Sequence, residues 1–256
     1  MMGVFRAAVQ GMISSRNWID VIGQNLSNVD TIGFKRTRAE FQDLLYRQVA
    51  NSQNGPGPLL QVGSGSDVVA VQNMFFQGAL ADSDSATDLA VFGDGFFPID
   101  LPDGTVAYTR NGNFHPDVDG RLVNPNGQRL ASALSVPAGF ETFAVQGNGE
   151  VVIKMPDSND SISVGQIPLA RFANPAGLIS SGDNLWRATD ASGAAQIGNP
   201  GDPGFGQVQA GRLERPTVQL SDEMTQLLIA QRSYQLNSRA LSTLDAMIGR
   251  ITEQRP

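Results

Sequence analysis

Cysteine is absent from the chain, and histidine occurs once, at His115. Without thiols there can be no disulfide, thiolate nucleophile or Cys-ligated metal, so oxidising and reducing compartments are equally open. One imidazole leaves little for a Ser-His-Asp relay, and no Gly-x-Ser-x-Gly elbow accompanies it. Long apolar runs are missing too: nothing approaches the ~20 residues of a membrane span. In MMGVFRAAVQGMISSRNW, Arg6 and Arg16 interrupt the region where a cleavable signal needs an unbroken apolar block, so no cleaved signal peptide is expected. Positive charge is also scarce. Residues 1–50 carry six basic and four acidic side chains, and residues 212–256 carry six and five. The stretch 51–211 holds six basic and sixteen acidic ones, net -10. An acidic body between near-neutral ends excludes the basic face that a nucleic acid requires.

What is present is enough for one or two cores, with 256 residues of which 41% are hydrophobic. Apolar positions at Phe5, Val9, Met12, Ile19, Ile22, Leu26 and Val29 recur mostly in steps of three and four, the stripe of an amphipathic helix. Near the other end, Ser221 reads as an N-cap with Asp222 and Glu223 in the first turn. Met224, Leu227, Leu228, Tyr234, Leu241, Leu244, Ile248 and Ile251 follow, predicting a helix of about 30 residues, roughly 45 Å long. A lone stripe cannot hold a helix in water, so each is expected to face the other.

Between the ends the pattern changes. Residues 51–67, NSQNGPGPLLQVGSGSD, read as an extended connection. From Leu89 short β-rich runs alternate with Asp103-Gly104, Asp119-Gly120, Asn126-Gly127 and Asn148-Gly149, pairs that tolerate positive φ in tight hairpins. The expected class is α+β: paired, coiled-coil-like N- and C-terminal helices with an inserted antiparallel β domain, a sandwich or small barrel. The boundaries read are 1–35 and 212–256 for a terminal helical core, 36–71 and 206–211 for connecting segments, and 72–205 for the β domain.

Catalytic and ligand motifs are weak. Gly93-Asp94-Gly95 lacks a third glycine or a Lys-Ser/Thr and reads as a turn between strands. Asp82 to Asp88, DSDSATD, puts Ala86, Thr87 and Gly93 where a calcium loop needs an oxygen ligand, glycine and glutamate, so it reads as a solvated acidic loop. His115, beside Pro116, reads as a surface or packing residue. The expectation is a non-enzymatic protein without metal or cofactor.

Three blocks carry a resemblance. The run Gln24-Asn25-Leu26-Ser27-Asn28 through Thr31, then Gly33-Phe34-Lys35, resembles the N-terminal signature of bacterial flagellar rod and hook proteins. Asp88 to Leu122, DLAVFGDGFFPIDLPDGTVAYTRNGNFHPDVDGRL, resembles the family's β-domain motif, and QRSYQLNSRALSTLDAMI resembles its C-terminal helix. The resemblance implies a structural subunit of the rod, most similar to its distal part, with a proximal rod or hook-like axial subunit as the alternative within the family. Such a subunit self-assembles into a helical tube that transmits torque and encloses the export channel. Its implied partners are further copies of itself, other rod, hook and ring proteins, and the type III export apparatus, with no nucleic acid and no membrane insertion. The implied place is the basal-body rod crossing the periplasm. An enzyme cleaving peptidoglycan where the rod crosses the wall is the alternative.

Within that frame, Asn25, Asn28, Asp30 and Thr31 are expected to cap the end of one helix. Gly33 would supply the positive φ for a change of direction, and Phe41, Leu44, Leu45 and Val49 would begin a second amphipathic stripe. Leu59, Leu60 and Val62 are expected to anchor a segment that bridges subunits.

Overall fold

The computed structural model describes residues 2–49, 60–132, 134–137, 139–156 and 160–253. The chain divides into two compact units: Met1–Ser27, Thr37–Asn73 and Gln219–Pro256 form one, and Asn28–Arg36 with Met74–Val218 the other.

The first unit contains both helices. α1 spans Met2–Ser27 and α2 spans Leu220–Glu253. Ser221 lies inside α2 rather than capping it, although Asp222 and Glu223 do occupy the first turn, where carboxylates oppose the helix dipole. The same unit holds four strands, β1 (Thr37–Asp43), β2 (Arg47–Val49), β3 (Leu60–Val62) and β4 (Ser66–Asn73). β1 pairs antiparallel with β4, with a register shift at Glu40/Phe41, and β2 pairs with β3. Thr37 and Ala39 of β1 are buried while Arg38 is exposed, the period of two that makes this a strand. The second stripe expected from Phe41 onward is therefore extended chain.

The second unit contains β5 (Leu80–Asp82), β6 (Leu89–Phe92), β7 (Phe97–Asp100), β8 (Val106–Thr109), β9 (His115–Pro116), β10 (Leu122–Val123) and β11 (Arg129–Leu130). β12 (Thr142–Val145), β13 (Glu150–Lys154), β14 (Ser161–Gln166), β15 (Leu169–Arg171), β16 (Ile179–Ser180) and β17 (Leu185–Arg187) follow. β18 (Gln196–Gly198), β19 (Gln207–Ala210) and β20 (Arg212–Glu214) complete it. The largest sheet runs β16-β17-β8-β7-β11-β10-β9, and β12-β13-β14 form a second. Each Asx-Gly pair closes a hairpin: Gly104, Gly120, Gly127 and Gly149 all have φ between 75° and 81°. Leu89, Phe97, Ile99, Phe114, Val151, Ile153, Ile167 and Leu169 meet in one apolar core. A separate aromatic cluster gathers Phe96, Tyr108, Phe172 and Trp186.

The expected class needs correction. Among the described residues the strands form seven sheets, not one inserted sandwich or barrel, and β1 to β4 belong to the helical unit itself. The two terminal helices exist, but they are not a coiled-coil-like pair. Polar contacts interrupt the stripe between them: Ser15 Oγ donates to Ser233 Oγ at 3.2 Å, and Asn25 Nδ2 donates to Glu223 Oε2 at 3.3 Å. A Cβ built on Gly11 would lie 2.7 Å from Asn237 Nδ2. Such close, polar approaches are not the apolar knobs-into-holes seam that defines a coiled coil.

Candidate functional site

Of the apolar positions read from periodicity, Ile22 is buried and Val9, Met12, Ile19, Leu26, Leu227, Leu241 and Leu244 are half-buried. Phe5, Met224, Leu228, Tyr234 and Ile248 are exposed. Exposure extends to residues that periodicity did not single out, Ile13, Leu220, Ile229, Leu236 and Met247. On α2 the inward stripe is Glu223, Leu227, Ala230, Ser233, Asn237, Leu241 and Leu244, and Ala230 is fully buried. Leu228, Ile229, Leu236 and Met247 point elsewhere. At ~100° per residue they occupy a face broader than one stripe.

The motif knot has a different geometry from a helix cap. Asn25 is buried, and its Oδ1 accepts from Thr37 N (2.9 Å) and Thr37 Oγ1 (2.8 Å), while its Nδ2 donates to Thr37 O at 2.8 Å. Asn25 therefore fastens β1 to the last turns of α1. Asn28 and Thr31 do form the turn: Thr31 N donates to Asn28 O, and Thr31 Oγ1 to Asn28 Oδ1, both at 3.1 Å. Phe34 N then donates to Thr31 O at 3.1 Å, and the Phe34 ring is buried. Gly33 has φ 70°, and its N–H donates to Glu214 O at 2.9 Å.

Lys35 leads into a buried charge cluster. Its Nζ lies 2.6 Å from Glu214 Oε1 and donates to Phe76 O at 2.6 Å. Glu214 Oε1 also accepts from Gly78 N at 2.6 Å, and Glu214 Oε2 lies 3.7 Å from Arg110 Nη1. Arg110 in turn donates from Nη2 to Gly93 O at 2.9 Å, and its guanidinium sits 5.1 Å from the Phe96 ring centroid. Burial pulls both cations below their ordinary pKa. For Lys35, Glu214 works against that shift and Arg110 adds to it. For Arg110, Glu214 and Asp94 oppose the shift. Glu214 and Arg110 were not legible as functional residues, because an ion pair so distant in sequence leaves no local pattern.

The bridging segment is described in part. Leu60 and Val62 lie in β3, Leu60 opposite Val49 and Val62 opposite Arg47. Leu59 lies outside the described residues.

Of the weak motifs, His115 is exposed on β9, opposite Val123. In the Asp82–Asp88 loop Ser83 Oγ donates to Asp88, and Thr87 Oγ1 to Phe114 O at 2.7 Å. The last two residues of the loop, Thr87 and Asp88, are buried rather than solvated. No group of carboxylates and histidine among the described residues is placed to hold a metal ion. No helix among them is long and apolar enough to cross a membrane.

Comparison with known proteins gives these surfaces a context. Residues 90–166 match the family described as the flagellar hook protein FlgE/F/G D1 domain, and residues 209–254 match the flagellar basal body rod FlgEFG protein C-terminal family. The flagellar basal-body rod protein FlgG of Borreliella burgdorferi is 41% identical over 97% of both chains. FlgG of Caulobacter vibrioides is 39% identical over 99% of this chain and 100% of that protein. The flagellar hook protein FlgE of Salmonella typhimurium is 38% identical over 46% of this chain and 29% of its own length. With full-length identity at this level, the chain belongs to the FlgG family of flagellar basal-body rod proteins, the structural subunits of the distal rod.

Proposed function

We propose that this chain polymerises with copies of itself into a helical tube, the distal rod, which transmits torque and encloses the export channel. The single observation that carries this reading is the exposure of Leu228 (58%), Ile229 (52%), Leu236 (64%) and Met247 (54%) on one helix of a folded chain. Burying an apolar side chain of that size contributes roughly 1.5–3 kcal/mol, so a repeated contact along α2 would stabilise a polymer. The subunit would travel unfolded through the type III export apparatus without a cleaved signal peptide. It would then join other rod, hook and ring proteins in the part of the basal body that crosses the periplasm. The acidic stretch between 51 and 211 suits a water-facing body.

The test is the double variant Leu228→Asp/Leu236→Asp. Both side chains are exposed, so helix content and unfolding midpoint should match the wild type by circular dichroism. Polymers should vanish from sedimentation and electron micrographs. Wild-type tubes from this variant would mean that α2 does not carry the contact.

A further inference from the structure

A cavity of about 180 Å³ lies in the β-rich unit, lined by Asp94, Phe96, Arg110, Arg171 and Phe172 among others. Its two walls are held together by main-chain bonds: Phe96 N donates to Ala170 O at 2.8 Å, and Ala170 N to Phe96 O at 2.9 Å. The Arg110 side chain is only 5% exposed; its Nε has no hydrogen-bond partner, and its Nη1 has only the ion-pair contact to Glu214 Oε2 at 3.7 Å. A buried guanidinium with unused donors is costly. The second guanidinium, Arg171, is half-buried and lies against Gly204, where a Cβ would come within 2.5 Å of Nη1.

The local charge does not balance. Lys35, Arg110 and Arg171 supply three positive charges, and Glu214 and Asp94 supply two negative ones. Glu214 Oε1 is taken by Lys35 at 2.6 Å, and Glu214 Oε2, which makes no hydrogen bond, faces Arg110 Nη1 at 3.7 Å. One negative group is wanted, and a planar carboxylate matches the donor fork of a guanidinium. The volume is below the roughly 300–1,000 Å³ of ordinary small-molecule sites, and suits the end of one side chain.

We propose that this cavity is a socket for a carboxylate side chain of a second copy of the chain. The donor follows from charge complementarity: residues 51–211 carry net -10, and an exposed loop carboxylate such as Asp84 can reach a neighbour. The identity of the donor copy rests on the polymer reading above, whereas the socket itself does not.

The test follows the Arg110 Nε–H resonance in the ¹⁵N-labelled full chain during titration with sodium acetate, using sodium chloride at equal ionic strength as reference. Acetate should give a saturable shift in the monomer, weakened at least tenfold in Arg171→Gln, whose circular dichroism and unfolding midpoint should match the wild type. In wild-type polymer the resonance should no longer respond to acetate, because the socket is filled, and Arg171→Gln should need a several-fold higher concentration to assemble. Absence of an acetate-specific shift in the monomer overturns the socket. A shift that persists in the polymer overturns the second copy as its source and leaves a free anion as the ligand. If no polymer forms under any condition, the polymer reading fails, and the monomer titration still decides the socket.

Discussion

The Lys35 ammonium lies 2.6 Å from Glu214 Oε1, and the two side chains are 1% and 0% exposed. Ion pairs this deeply buried gain little net stability over apolar residues, but removing one partner strands the other. Glu214 already serves Gly78 N and Lys35 through the same oxygen. Lys35→Met should therefore destabilise the β-rich unit by roughly 3–5 kcal/mol, read as a lowered urea midpoint. The double variant Lys35→Met/Glu214→Leu should lose more, because Arg110 then has no carboxylate at 3.7 Å.

The same pair sets a pH dependence. Burial holds Lys35 below the ordinary lysine value of 10.5. Between its folded pKa and 10.5 the unfolded chain therefore binds more protons than the folded one, and stability rises with pH. That contribution is complete above 10.5 and is lost as pH falls through the folded pKa. Tyr108, whose pKa burial raises, works in the opposite direction but is common to both proteins. The stability of wild type minus that of Lys35→Met should thus increase from neutral pH towards 10.5. A decrease over that interval would mean that attraction to Glu214 outweighs burial.

Gly33 offers a sharper contrast. At φ 70°, a Cβ would sit 2.7 Å from Asn111 N and 2.8 Å from the Arg110 carbonyl, all main-chain atoms that cannot rotate away. Gly104 has a similar φ of 79° with nothing within 4 Å. Gly104→Ala should cost only the left-handed penalty, about 1–2 kcal/mol. Gly33→Ala adds a main-chain collision and should lose clearly more, with a correspondingly larger drop in melting temperature. Equal losses would show that the segment around Gly33 can shift to admit a methyl group.

Legibility followed the range of the signal. The helices could be read because Ile22, Leu26, Leu227, Leu241 and Leu244 recur at helical spacing, and the hairpins because Asx-Gly pairs act over four residues. β1 was missed because its inward residues, Thr37 and Ala39, are polar or small, so no apolar alternation marks the strand. The stripe seen instead was Phe41, Leu44 and Leu45, of which Phe41 and Leu45 are exposed. The coiled-coil expectation failed because apolar spacing does not show the polar and glycine positions that interrupt the stripe. Here the inward side of α2 mixes Leu227, Ala230, Leu241 and Leu244 with Glu223, Ser233 and Asn237, and Gly11, Ser15 and Asn25 of α1 meet the polar ones. Asn25 looked like a cap because its chemistry allows one, and only the fold brings Thr37 within reach.

β2 and β3 pair only with each other among the described residues, so both outer edges of this ribbon carry main-chain groups open to pairing. A two-stranded ribbon is marginal alone, and in a polymer it gains by lying against a neighbour. The ends of the ribbon are anchored: Leu44 N donates to Gly65 O at 2.8 Å, and Ser14 Oγ to Ser66 O at 2.6 Å. Replacing Arg47–Val62 by an Asn-Gly turn, which suits a two-residue hairpin, would keep both anchors while removing Leu60 and Val62 together with Leu59. A tube bends only if contacts between neighbouring subunits slide as curvature changes, and a docked ribbon resists such sliding. The shortened chain should still assemble, but into tubes that micrographs show to be curved or flexible. Straight, rigid tubes would locate the stiffness in the β-rich units and reduce the ribbon to a tether.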